Sequence, residues 1–305
     1  MYREFWKFDS SEQTKKAYFV GKAVFMESGI MVANAESTPS KTVMITSCKG
    51  GVGKSTVTAN LAYALAVLGK KVVAVDCDFS NRSLDLIFGC EDSVLYDISD
   101  IAAGRAEVGD VVLHDKRSEN LMLCAAPLDV GNAEEIFGEK ELRASLDKIR
   151  EEIKPDFVII DTPGASVFAL DAVSQCADEA FIVVSHQPTA ARAAERTGLV
   201  LDKLGLSEQR LIINMFDADA VINDVRMGVN ELIDRTRTQI IGIVPSEDEL
   251  SLAQEFGILC GEAESANMKK VSRAFENIAL RMCGTYVPLL KKVCGERKRR
   301  ELLKK

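Results

Sequence analysis

Residues 47–56 read Ser-Cys-Lys-Gly-Gly-Val-Gly-Lys-Ser-Thr, a run whose glycines, lysines and hydroxyls are spaced to hold a polyphosphate. Glycines in succession let the backbone wrap tightly, so that its N–H groups and the N-terminus of the next helix meet negative oxygens. Gly50, Gly51, Val52 and Gly53 supply that wrap, and Lys54 reaches the β- and γ-phosphates. The Ser55 hydroxyl, followed by Thr56, takes a place on Mg2+. The usual pattern has a glycine where this chain has Cys48. Aspartates at strand ends extend the set. Asp161 closes the apolar run Phe157–Ile160 and precedes Thr162-Pro163-Gly164, the arrangement that secures Mg2+ beside a phosphate loop. Gly164 is placed to move with the γ-phosphate. Asp76 and Asp78 follow Val72–Val75, where a carboxylate can orient an attacking water or hold a metal-bound one. Asn214 ends the run Leu211–Ile213; its amide suits the donor and acceptor of an adenine edge, or caps a turn. His114 and His186 lack a Ser or Cys partner pattern and read as structural, so no covalent nucleophile is expected. Catalysis then rests on placing water in line and stabilising spread charge with Lys54, Lys49 and Mg2+.

Such residues need a sheet whose strand ends converge. Val43–Thr46, Val72–Val75, Leu121–Leu123, Phe157–Ile160, Phe181–Val184, Leu211–Ile213 and Ile240–Val244 are continuous apolar runs, the pattern of strands buried on both faces. Helix-length stretches separate them: Lys54–Leu68, Glu134–Glu152, Ala190–Leu204, Val221–Arg235 and Met268–Met282. The alternation predicts an α/β fold, a doubly wound, mainly parallel sheet flanked by helices in one domain over residues 42–285.

Lys49 has no necessary task on phosphates that Lys54 already neutralises, and at this point the chain resembles the deviant-Walker P-loop ATPases of the MinD/ParA family. In that family the residue matching Lys49 crosses a dimer interface to the other subunit's nucleotide, so that ATP joins a homodimer. The resemblance implies a SIMIBI-type P-loop NTPase with ATP and Mg2+ as cofactors and slow, partner-stimulated hydrolysis. It assigns catalytic roles to Lys49, Lys54 and Asp78, the last as the switch I aspartate. It puts Ser55 and Asp161 on Mg2+, with Asp78 reaching the metal through water. It places Pro245, in Ile241–Pro245, with Asn214 beside adenine, and Arg192 also matches a family position. The likeness covers roughly residues 42–285. It extends to the spacing of Asp76–Gly89, with Arg82, Leu84 and Asp85, and to Tyr96-Asp97, Gly104, Lys116–Leu121 and Ala177–Ala180. These favour the MinD-like branch. The cluster-carrier branch needs a CxxC that the chain lacks, Cys90 and Cys124 lack the glycine-rich setting of iron-protein ligands, and a tyrosine-rich tail is absent, Tyr286 standing alone.

The chain has 305 residues and a net charge of −8. Its 47% hydrophobic content excludes disordered and low-complexity classes for the bulk. The charge is uneven: Pro288–Lys305 carries +6 and the remainder −14. An acidic body is repelled by lipid and nucleic acid alike, which singles out the tail as a contact point. Residues 286–305 therefore read as a basic, partly amphipathic tail. A helix from Pro288 sets Leu289, Leu290, Val293 and Cys294 on one side and Lys291 and Lys292 opposite, suited to an anionic membrane surface. The resemblance implies the same and predicts a cytoplasmic protein, peripheral at the inner face of the cell membrane. It further predicts release upon hydrolysis, an activating protein partner, and work in division-site placement. DNA is the alternative target of the tail, as in a ParA-like partitioning ATPase; a nucleotide-dependent scaffold with negligible turnover is a third reading. The longest uncharged stretch, Ser55–Gly69, has 15 residues and is too short and polar to span a bilayer. The eight cysteines form no CxxC and read as small buried hydrophobes. Residues 1–41 hold seven of the nineteen aromatics and form an N-terminal extension of unknown role.

Overall fold

The computed structural model describes residues 18–20, 23–26, 29–30, 40–128, 138–164 and 167–305. Contacts divide the chain into two units, residues 1–39 and 40–305. The described part of the first is an antiparallel meander, β1 (Tyr18–Val20), β2 (Ala23–Met26) and β3 (Gly29–Ile30), with Tyr18 opposite Phe25 and Phe25 opposite Ile30. The rest of the aromatic N-terminal segment lies outside the described residues.

The second unit is built on eight strands: β4 (Lys41–Thr46), β5 (Val72–Asp76), β6 (Leu113–His114), β7 (Leu121–Cys124), β8 (Phe157–Asp161), β9 (Glu179–Val184), β10 (Gln209–Phe216) and β11 (Ile240–Pro245). They lie in the order β11-β10-β9-β4-β8-β5-β7-β6. Every pairing is parallel except the short edge pair β6–β7, a two-residue strand that no apolar run announces. Val43–Ile45, Val72–Val75, Val158–Ile160 and Phe181–Val184 are fully buried, because helices cover both faces. The helices are α1 (Lys54–Val67), α2 (Leu84–Phe88), α3 (Ile98–Ala103), α4 (Val108–Val111), α5 (Glu139–Ile153), α6 (Val167–Ser174), α7 (Pro188–Lys203), α8 (Ala218–Ile222), α9 (Val229–Thr236), α10 (Asp248–Gln254), α11 (Ala266–Met282) and α12 (Glu296–Leu302). Helix α1 is apolar on almost every side and is accordingly sandwiched between sheet and α11. Central β4 lies between β8 and β9, so the loop that follows it opens at the switch point of the sheet, where ligands of open α/β sheets bind.

Three expectations change. The single helix expected over Val221–Arg235 is broken into α8 and α9, with Asp224 at φ 57° in the intervening turn. Helix α5 starts at Glu139, and residues 134–137 of the expected helix lie outside the described residues. The C-terminal segment is neither a separate tail nor helical from Pro288. Residues 289–294 form turns, with Leu290 and Lys292 in the left-handed region at φ 56° and 59°, and α12 begins only after Gly295. Burial is the reason: Leu290, Val293 and Leu302 join the main core, while Lys291, Lys292, Arg297, Arg300 and Lys304 stay exposed. The Arg281 guanidinium also donates to the carbonyls of Val287 (2.8 Å) and Pro288 (3.0 Å), and the Asn277 amide to that of Lys291 (2.8 Å).

Candidate active site

The loop between β4 and α1 turns on Gly51 and Gly53, both left-handed at φ 73° and 86°. Gly53 is the residue before the first helical turn, so α1 presents its N-terminal N–H groups to the loop. A cavity of about 380 Å3 opens there, lined by Gly50, Gly51, Lys54, Ser55, Asp78 and Gly164 among others. Lys54 is buried, and a Cβ added at Gly164 would stand 3.3 Å from its ammonium nitrogen; the lysine therefore bridges the phosphate loop and the Asp161–Gly164 turn. Cys48 is accommodated where the usual pattern has glycine because its φ is not positive, and its N–H donates to the Thr197 hydroxyl of α7 at 3.1 Å.

Asp161 is fully buried at the end of β8. Its Oδ1 accepts from the Thr58 hydroxyl at 3.2 Å, while Oδ2 is buried with no hydrogen-bond partner among the described residues. Burial, reinforced by the neighbouring Asp76 carboxylate, pushes its pKa well above the carboxylate range; the Ser55 hydroxyl and the Lys54 ammonium pull the other way. An orphaned carboxylate oxygen beside a serine hydroxyl, destabilised as an anion by burial and by the Asp76 carboxylate, fits a divalent cation. Ser55 and Asp161 would hold Mg2+, which when bound neutralises phosphate charge.

Asp76, expected beside Asp78 at the strand end, acts in the fold as a brace. It is fully buried, and its carboxylate accepts the N–H groups of Asp78 (2.9 Å), Ser83 (3.0 Å) and Leu84 (3.0 Å). Those bonds hold the 77–83 loop in a curl that sets Asp78 on the wall of the phosphate cavity. The Asp-Cys-Asp spacing was visible in the sequence, but only the fold shows which carboxylate turns inward. Arg82 and Asp85 pair at 2.6 Å and tie the same loop to α2.

Lys49 does not line the phosphate cavity. Its ammonium donates to Gln187 Oε1 (3.1 Å) and Thr189 Oγ1 (3.2 Å), at the start of α7. Asn214 meets the loop at Val52, its amide donating to the Val52 carbonyl at 2.9 Å in a buried bond. Register shifts in β10 and the left-handed Met215 (φ 53°) turn Asn214 toward the loop. The sequence offered adenine or a turn for this amide; in the fold it braces the phosphate loop. Pro245, at the end of β11, lines a second cavity of about 580 Å3 together with Phe216. Arg192 is exposed on α7. His186 is buried, its Nε2 accepting from the Asp217 N–H at 2.8 Å, and His114 is exposed. All eight cysteines are free, with Cys77, Cys124, Cys176 and Cys260 buried.

A glycine-turned loop at the switch point, a buried lysine on α1 and a magnesium-type aspartate on the adjacent strand define a phosphate-loop nucleotide hydrolase. Residues 43–260 match the family model of the CobQ/CobB/MinD/ParA nucleotide binding domain. The chain belongs to that family, as a MinD-like ATPase whose cofactors are ATP and Mg2+. It is 32% identical to the septum site-determining protein MinD of Bacillus subtilis (strain 168), over 81% of this chain and 90% of that protein. The MinC:MinD cell division protein complex of Aquifex aeolicus has a chain similar to it at 30% identity and TM-score 0.74, covering 82% of this chain and 98% of that one. MinD of Pyrococcus horikoshii OT3, solved with Mg-ADP, is similar at 25% identity and TM-score 0.69, covering 80% and 96%.

Proposed function

We propose that the chain is a nucleotide-gated dimer that binds a surface as ATP closes it and leaves after hydrolysis, and that it serves in placing the division site. The observation that carries this reading is the position of Lys49. A loop lysine that is off its own phosphate cavity, held by the Gln187 amide oxygen and the Thr189 hydroxyl, is available to a second subunit's nucleotide. Lys54 serves the phosphates in its own subunit. Asp78, held by the Asp76 brace, orients the attacking water, and no covalent intermediate forms. Hydrolysis is slow until a protein partner completes the site, and a partner of the MinC kind, seen with the Aquifex aeolicus relative, is the expected class.

The surface is an anionic membrane, met from the cytoplasmic side. Among the described residues no helix is long and apolar enough to cross a bilayer. With Leu290, Val293 and Leu302 buried, contact is made first by the exposed lysines and arginines of 291–304, each worth about 1 kcal/mol near an anionic surface. A dimer doubles that number, and avidity follows. The same exposed cations also suit the phosphate backbone of DNA, which is the second reading. Light scattering of the Lys49→Ala variant with Mg-ATP tests the first claim: it stays monomeric while still binding nucleotide. A variant that dimerises normally refutes the role of Lys49. Flotation with anionic vesicles against retention on DNA, with ATP and with ADP, decides the surface.

A further inference from the structure

The cavity of about 580 Å3 at the ends of β10 and β11 is not enclosed by the nucleotide-binding body alone. On one side stand Phe216 and Pro245, the last residues of the two strands, with Asp217 and Glu247 immediately after them. The opposite side consists of Leu290, Val293, Cys294, Lys298 and Leu302, all from the C-terminal segment. We propose that this segment is the outer wall of the nucleoside pocket, so that base binding and docking of the C-terminus stabilise each other. The inference rests on the nucleotide reading of the phosphate loop and adds to it a residue set that no phosphate-loop motif contains.

Proximity to the phosphate site is the first support. Three consecutive residues of β10 run from the phosphate loop to the second cavity, although the two cavities share no lining residue among the described residues. Asn214 holds the Val52 carbonyl, Met215 lies against Gly53, and Phe216 forms the wall of the second cavity. A nucleotide whose phosphates sit on residues 50–55 thus has its ring end directed along β10 toward Phe216 and Pro245. Chemistry is the second. Phe216, Pro245, Leu290, Val293 and Leu302 supply apolar faces for a planar ring. Asp217, Asp219, Glu247 and Asp248 outnumber Lys270 and Lys298 around it, which disfavours another anion and suits a neutral group rich in donors, such as ribose hydroxyls and an exocyclic amine. The third is that the wall is fastened to the body on both flanks of the cavity. Lys298 pairs with Asp219 at 2.7 Å, Lys305 with Asp224 at 2.7 Å, and the Asn277 amide of α11 donates to the Lys291 carbonyl at 2.8 Å. Linkage then requires reciprocity: a ligand that stabilises the docked wall binds more weakly when something else draws the C-terminus away.

Amide hydrogen exchange on the full chain separates the possibilities, with three samples: no ligand, Mg-ADP, and Mg-tripolyphosphate, which has phosphates but no nucleoside. The expected result is that both ligands slow exchange in 48–56, whereas only ADP slows 289–303, by about tenfold or more. Protection of 48–56 by ADP with no change in 289–303 overturns the inference while leaving the nucleotide site intact. Absence of protection in 48–56 refutes the nucleotide reading itself and the inference with it. Lys298→Glu provides the reverse test, since it sets like charges against Asp219 on the surface without disturbing the core. It is expected to weaken ADP about fivefold or more in calorimetric titration and to leave tripolyphosphate unchanged. Equal weakening of both ligands, or of neither, overturns the proposal.

Discussion

Replacing Gly53 by alanine tests whether the loop geometry is held from outside by Asn214. The residue is at φ 86°, and an added Cβ would stand 2.4 Å from the Asn214 amide nitrogen. Two costs arise. The left-handed backbone costs a non-glycine residue about 1–2 kcal/mol. Moving the Asn214 amide aside breaks its buried bond to the Val52 carbonyl, and an unpaired buried polar group costs about 1–3 kcal/mol. The total is about 2–5 kcal/mol. Gly69 isolates the first cost, because it is at φ 78° with nothing among the described residues within 4 Å of an added Cβ. Gly69→Ala is therefore expected to lose only about 1–2 kcal/mol. Denaturant unfolding of Gly53→Ala, Gly69→Ala, Asn214→Ala and the Gly53/Asn214 double variant measures each step. The double variant is expected to lose clearly less than the sum of its singles, since the clash disappears with the amide. Calorimetry with Mg-ADP should show weaker binding for Gly53→Ala, whose loop can no longer close on phosphate. Equal losses for the two glycine variants, or strict additivity of Gly53 and Asn214, would refute the reasoning.

Arg117 is expected to be among the costliest single losses outside the site. Its nearly buried guanidinium pairs with Asp115 (2.6 Å) and Glu262 (2.7 Å) and donates to the Phe88 and Gly257 carbonyls, so Arg117→Ala should cost about 3–5 kcal/mol in denaturant unfolding. Asp76→Asn should lower stability by about 1–3 kcal/mol, because one face of the amide meets backbone N–H groups with another N–H. Phosphate release should fall in parallel as Asp78 loses its position. Burial, with Arg226 nearby, holds the His186 pKa below 6.5. The unfolded chain then binds the proton more readily, so this stability is present above 6.5 and is lost as pH falls toward the folded value. Unfolding at about pH 7.5 and about pH 5.5 should show a larger loss for the natural chain than for His186→Gln.

The chemistry of the phosphate loop was legible because it is local: backbone wrap, lysine and hydroxyl all fall within residues 47–56, and the geometry follows from glycine spacing. The strands were legible for a related reason, since burial on both faces leaves unbroken apolar runs such as Phe157–Ile160. Short elements such as α2 and the β6 edge leave too few residues for a period to show. Likewise, the break between α8 and α9 has no proline to announce it.

What only the tertiary structure decided are the partners brought together from far along the chain. The Val52 carbonyl meets Asn214 across 162 positions, and Lys49 meets Gln187 across 138; no spacing rule links such pairs. The C-terminus shows the limit most plainly. Its sequence specifies a cationic segment with a few leucines, and that pattern fits a lipid-facing helix as well as a docked one. Whether Leu290, Val293 and Leu302 meet lipid or protein depends on which apolar surface lies within reach, and in the fold that surface is the body's own core beside the ends of β10 and β11.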